Sequence, residues 1–145
     1  MPQQEGGLRT LHDIKKGAYV LLEPEQKADA LILATGSEVG LAMEIAMYLN
    51  KSRGGIRLIS MPCESQFRRQ DEAYRNWVFP DQITKRICIE AGTTSFWFRY
   101  VGKDGLVIGL DEFGASAPAP DLFEKYGLDF ESCLTRVKNY LNEIK

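Results

Sequence analysis

The chain of 145 residues contains a single histidine, His12, and it lies in a polar N-terminal stretch where solvation is its expected role. With no second imidazole, a multi-histidine metal site is excluded, and with His12 in the linker the loops after the strands hold no general base that titrates near neutrality. Cysteine is scarce as well. Cys63, Cys88 and Cys133 are odd in number, far apart and without C-x-x-C spacing, which excludes a disulfide framework or a zinc site and suits a reducing, cytoplasmic setting. No apolar run approaches the roughly 20 residues of a spanning helix, and "MPQQEGGLRT" is too polar for a signal peptide. Nor is there a basic stripe: 18 Lys and Arg face 20 Asp and Glu, for a net charge of −2. Nucleic acid and an anionic membrane are therefore excluded as expected partners.

What is present is a pattern of short apolar runs separated by helical periodicity. The runs are "YVLL" (19–22), "ALILA" (30–34), "IRLIS" (56–60), "RICIE" (86–90) and "LVIGL" (106–110), and the last four read as strands buried on both faces. Between the second and third, "SEVGLAMEIAMYLNKS" opens with Ser37 as N-cap and sets Val39, Ala42, Met43, Ile45, Ala46 and Leu49 on one apolar stripe. Residues 64–78 read as a less regular helical connection, "SFWFRYVG" as a short helix, "APAPDLFEKYG" as a helix started by proline and ended at Gly127, and "DFESCLTRVKNYLNEIK" as a terminal helix packing on the sheet. Strand, helix, strand in repetition predicts an open α/β sheet of five strands flanked by helices. Residues 1–18 lack a continuous apolar pattern and read as a linker or approach segment, leaving 19–145 as the domain.

In such sheets ligands bind beyond the carboxyl ends of the strands, which directs attention to "TGSE" (35–38), "MPCES" (61–65), "EAGTTS" (90–95) and "DEFGASAP" (111–118). These offer candidate anion or interface residues, Gly36, Ser37, Gly92 and Ser95, together with Trp97 just beyond. "GSEVG" has two glycines at a helix start but lacks the third glycine of a dinucleotide fingerprint and the G-K-[ST] of a P-loop. Adjacent Asp111 and Glu112 are expected to diverge and cap or solvate, without sharing a metal. Cys63, with Arg69 after five intervening residues, has the outline of a cysteine-phosphatase loop, yet those five residues include no glycine and one glutamate, Glu64. The expectation is a small apolar cysteine packed near a strand end. In "SFWFRY" (95–100), helical spacing puts Trp97 and Tyr100 on one face and Phe96 and Phe98 elsewhere, so at least one ring should be exposed and the isolated chain should self-associate through it.

Several motifs then stand in one order: "PQQE", "ATGSEV", "SMP" followed by "QDEAYR", "EAG", "YVG", "IGLDEFGASAP" and "LFEKYGL". In order and spacing they resemble the last third of transketolases, from Pro2 nearly to Lys145, and resemble transketolase or dihydroxyacetone synthase more than deoxyxylulose-phosphate synthase. The resemblance implies a mixed, mainly parallel sheet with "YVLL" as the antiparallel strand. It implies that the complete enzyme transfers a two-carbon ketol unit between sugar phosphates, in the pentose phosphate pathway, on thiamine diphosphate with magnesium or calcium. The metal-diphosphate motif and the histidines of that chemistry do not occur here. The resemblance therefore implies no catalytic, cofactor-binding or metal residue in this chain, which would be inactive alone. The implied partners are the remaining transketolase domains and a second copy in a homodimer, with the chain an excised fragment or one piece of a split enzyme. A free-standing α/β module that recognises a small anionic regulatory ligand at Ser37 or Ser95 is the alternative.

Overall fold

A computed structural model describes residues 14–90, 95–109 and 129–143. Its elements are β1 (Tyr19–Leu22), β2 (Ala30–Ala34), α1 (Glu38–Ser52), β3 (Ile56–Ser60), α2 (Glu64–Arg68), α3 (Glu72–Val78), β4 (Lys85–Ile89), a 3₁₀ turn (Ser95–Trp97) running into α4 (Phe98–Val101), β5 (Leu106–Ile108) and α5 (Phe130–Glu143). The strands pair in the order β1-β3-β2-β4-β5. β2, β3, β4 and β5 are parallel, and β1 runs antiparallel on the β3 edge, with an irregularity between Val20 and Leu22. This is the mixed, mainly parallel, open sheet that the sequence leads one to expect, and "YVLL" is its odd strand. The helix expected over "APAPDLFEKYG" lies outside the described residues.

β2 is central and wholly buried, which explains a strand with no polar residue. Its alternate side chains feed two cores. Ala30, Ile32 and Ala34 join Ile56, Leu58, Ile87, Ile89 and Ile108 under α1 and α5, where Ala42, Ile45, Ala46, Leu49, Cys133, Val137 and Leu141 close the layer. Leu31 and Leu33 join Ile59, Met61, Cys88 and Val107 on the opposite face, under Phe67, Val78, Phe79, Trp97 and Val101 from α2 to α4. The period of two along the strand thus separates the two helical layers.

Helix ends are fixed by specific contacts. Ser37 does not cap α1 as its residue type suggests: its hydroxyl donates to the Glu38 carboxylate at 3.0 Å, and its own backbone is helical. The reason is the tight turn at Gly36, φ +61°, through which the Glu38 and Val39 amides already reach the carbonyls of Thr35 and Gly36. At the other end, the amides of Arg53 and Gly54 both return to the Leu49 carbonyl, and the Asn50 side chain brackets Ile56 by accepting from its amide and donating to its carbonyl. Asp129 caps α5 by accepting from the Ser132 amide at 3.2 Å.

The stretch before β1 is stitched to α2. Gly17, φ +90°, presents its carbonyl to the Cys63 amide at 3.0 Å, and Ala18 is fully buried with its carbonyl accepting from the Tyr74 hydroxyl. A Cβ on Gly17 would overlap the Cys63 carbonyl and the Phe67 amide, both backbone atoms with nowhere to go. Gly17→Ala should therefore cost about 2–4 kcal/mol from left-handed strain and overlap together, read as a lowered urea midpoint with unchanged slope. Gly40→Ala, at a position with open space around it, is the comparison and should not destabilise.

Candidate functional site

Those of the sequence-predicted site residues that are described, Gly36, Ser37 and Trp97, are not brought together. Gly36 and Ser37 start α1 beyond the carboxyl end of β2, on the side of the first core, whereas Trp97 is buried in the second core on the opposite face. Gly92 and the Ser95 side chain lie outside the described residues, as do Asp111 and Glu112. At the start of α1 the buried Glu38 carboxylate, which receives the Ser37 hydroxyl, already sets a negative charge in the first turn, where an incoming anion would meet the helix amides.

Cys63 corrects the expectation of a packed, apolar thiol. It is exposed, at the extended residue before α2, and the buried position of this loop goes to Phe67 one helical turn later. Its sulfur lies 3.4 Å from the Ser65 hydroxyl. That hydrogen bond, then the Gln66 amide, and more weakly the Arg69 charge, lower the thiol below the ordinary cysteine value. The phosphatase outline fails on geometry: residues 64–68 are helical, with the Phe67 amide spent on the Cys63 carbonyl, so the backbone does not wrap an anion. Glu64 is likewise engaged. The Tyr100 hydroxyl donates to its carboxylate, with Arg68 at 3.5 Å and Arg99 at 3.8 Å, which ties α2 to α4. Burial first, and then Glu64, push the Tyr100 phenol above its usual range.

The aromatic segment divides as its spacing requires. Trp97 and Tyr100 turn inward, Tyr100 lying 5.3 Å from the Phe79 ring and 6.2 Å from Phe67, centroid to centroid. Phe96 and Phe98 are exposed at 36% and 38%, which is far above the 9% of Trp97, and the Arg99 guanidinium lies 4.8 Å from the centre of the Phe96 ring.

Arg86, missed in reading the sequence, donates from its side chain to four backbone carbonyls. From β4 it donates to the carbonyls of Ile83 and Pro80 at 2.8 Å, Phe79 at 3.3 Å and Tyr100 at 2.8 Å, and its own amide donates to the Tyr140 hydroxyl. Burial lowers its pKa while Asp81 opposes that shift, and no carboxylate pairs with it directly among the described residues. The clefts near it open at the amino edge of the parallel strands, opposite the loops that the sheet rule singles out. One, of about 410 Å³, is lined by Asp81, Arg86, Lys103, Asp104 and Tyr140, and another, of about 800 Å³, by Lys27, Arg57, Gln82, Thr84 and Lys85 among others.

Whether these residues suit the metal and diphosphate that the resemblance implies for a complete enzyme is a matter of donor chemistry. Among the described residues no group of three or more His, Cys, Asp or Glu is placed to hold a metal ion. The helix start at Gly36 presents the Glu38 carboxylate in place of free amides. The described residues do not fit that group. No described helix is long and apolar enough to cross a membrane.

The cysteines give a direct check of the geometry. Cys88 and Cys133 are buried, which raises both thiols, Cys133 to about 11, whereas Cys63 is exposed and lowered. A lower pKa means more thiolate at any pH below it, so iodoacetamide should label Cys63 alone in the folded chain, with a rate that rises at lower pH than for a free thiol. Ser65→Ala should move that profile to higher pH. Labelling of all three at similar rates, or an unshifted profile in the variant, would contradict the structure.

Comparison with known proteins agrees with the α/β fold. The family model of the transketolase-like TK C-terminal domain matches residues 17–129. Transketolase 1 of Aliivibrio fischeri is 45% identical over 141 residues, covering 97% of this chain and 21% of that protein. A transketolase variant from Pichia stipitis superimposes with a TM-score of 0.82 at 32% identity, over 100% of this chain and 20% of that one, and transketolase from Leishmania mexicana with 0.78 at 31%, over 92% and 19%. The chain thus spans about a fifth of the length of the curated relatives it matches. With its family model matching well over half of its residues, the chain belongs to the transketolase C-terminal domain family.

Proposed function

We propose that this chain serves as the C-terminal domain of a transketolase, a transferase that moves a two-carbon ketol unit between sugar phosphates with thiamine diphosphate and magnesium or calcium, in the cytoplasm and the pentose phosphate pathway. Its own role is structural. It packs against the remaining transketolase domains, supports a homodimer, and carries none of the catalytic groups. The observation that supports this reading most is the match of the transketolase-like C-terminal domain model along residues 17–129. Residues 1–18 act as the approach segment from the neighbouring domain, and its last residues, Gly17 and Ala18, are the anchor on α2 and α3. The exposed rings of Phe96 and Phe98, with Arg99 beside them, supply part of an interdomain or dimer face.

Calorimetric titration of the chain with thiamine diphosphate and magnesium should give no saturable heat, and the chain should not turn over sugar phosphates. Micromolar binding, or turnover by the chain alone, would overturn the structural role. Light scattering across a concentration series should show self-association of the isolated chain, most simply a two-fold dimer, that is weakened by Phe96→Ser with Phe98→Ser. A strictly monomeric parent chain at high concentration would remove the aromatic face from the proposal.

A further inference from the structure

The amino-edge cleft of about 800 Å³ is lined by Lys27, Ala28, Asp29, Arg57, Pro80, Gln82, Ile83, Thr84 and Lys85, and its charges are unusual for an acidic chain. Of its four charged side chains, Asp29 and Arg57 need no ligand, because each is neutralised in place. Asp29 accepts two hydrogen bonds from Arg53, at 2.9 and 3.1 Å. Arg57 pairs with Glu23 at 2.9 Å and gives its remaining amine to the Trp77 carbonyl at 2.8 Å. Lys27 and Lys85 have no ion pair among the described residues. The unpaired charges of this cleft are thus both positive, and they stand before β2 and at the first residue of the adjacent β4.

The neighbouring clefts differ. Around Arg86, Asp81 and Asp104 offset Lys103, and the guanidinium is spent on four carbonyls. Between β1 and α1, Glu23 and Glu25 face Lys51. Only the Lys27 and Lys85 cleft, among these three, is lined by two ammonium groups with no ion pair among the described residues.

We propose that this cleft binds a small, water-soluble phosphate monoester. A phosphate monoester carries roughly −1.5 to −2 charge at neutral pH, which two ammonium groups neutralise. The Thr84 hydroxyl and the Gln82 amide supply uncharged donors at the same wall, and Ala28, Pro80 and Ile83 provide apolar surface for the carbon skeleton. The volume lies within the range of about 300–1,000 Å³ typical of small-molecule sites. The paired Asp29–Arg53 and Glu23–Arg57 side chains hold the rim, so the site does not have to be assembled on binding. The proposal is independent of the structural role given above, since it concerns a different edge of the sheet and requires no neighbouring domain.

The test is a titration of the 145-residue chain with glycerol 3-phosphate at low ionic strength, followed by amide NMR shifts. Saturable shifts at Lys27, Thr84 and Lys85 are expected, weaker with inorganic phosphate, which lacks a skeleton for the apolar wall, and weaker again with succinate. Lys27→Ala with Lys85→Ala should reduce affinity about tenfold or more, and Gln82→Glu, which adds a carboxylate and removes no lysine, should act in the same direction. Lys51→Ala, at another cleft, should leave binding unchanged. Absence of saturable shifts, succinate binding as tight as the ester, or retention of affinity in the double variant and in Gln82→Glu would each overturn the proposal.

Discussion

The helical layer over α2 to α4 depends on one side chain, the Arg86 guanidinium, and on the fact that a buried carbonyl without a donor is costly. Helices leave their last carbonyls unsatisfied, and here the carbonyls after α3 and in α4 converge beside β4. Arg86 fills that role from inside the sheet edge, with a rigid fork of donors that a more compact cation cannot match. A positive charge at helix C-termini is also favoured by their partial negative charge. Because the same residue takes its register from β2, through Leu31, the sheet and two helix ends are positioned by a single connection.

That connection has a functional consequence. It sets α4, and α4 presents the divided aromatic segment: Trp97 and Tyr100 against Phe67 and Phe79, Phe96 and Phe98 outward. Tyr100 on Glu64 then locks α4 to α2, and the Cys63 amide at the start of α2 in turn donates to the Gly17 carbonyl, just before β1. Gly17 and the exposed rings are thereby part of one connected layer, which suits the structural role proposed above. The opposite layer, α1 and α5, is closed mainly by aliphatic packing, and among the described residues no side chain there binds as many carbonyls as Arg86.

Much of this was legible in the sequence. β1, β2 and β3 match their apolar runs to the residue, and β4 is displaced by one; for the inner strands this follows because a strand buried on both faces cannot carry polar residues without a partner. The α1 stripe and the face of α5 followed from period 3.6. The misses share a cause. Ser37 and Cys63 were read by residue type, yet a turn at Gly36 removed the need for a cap, and a backbone position outside the core decided the exposure of Cys63. Arg86 within "RICIE" was visible as a lone cation in an apolar strand, but the convergence of its carbonyl partners after α3 and in α4 is set by the fold, and Glu64, counted in the sequence against a phosphatase loop, meets Tyr100 from 36 residues away. The amino-edge clefts were missed because the sheet rule directs attention to the other edge.

The claim that Arg86 organises this layer is tested most directly by Arg86→Lys, which keeps the charge and much of the stem but cannot reach four carbonyls at once. Urea unfolding of the variant should show a loss of about 2–4 kcal/mol, from buried carbonyls left without donors. Tryptophan fluorescence should report a changed environment at Trp97, the tryptophan buried in that layer. A variant with parental stability and an unchanged spectrum would contradict the account.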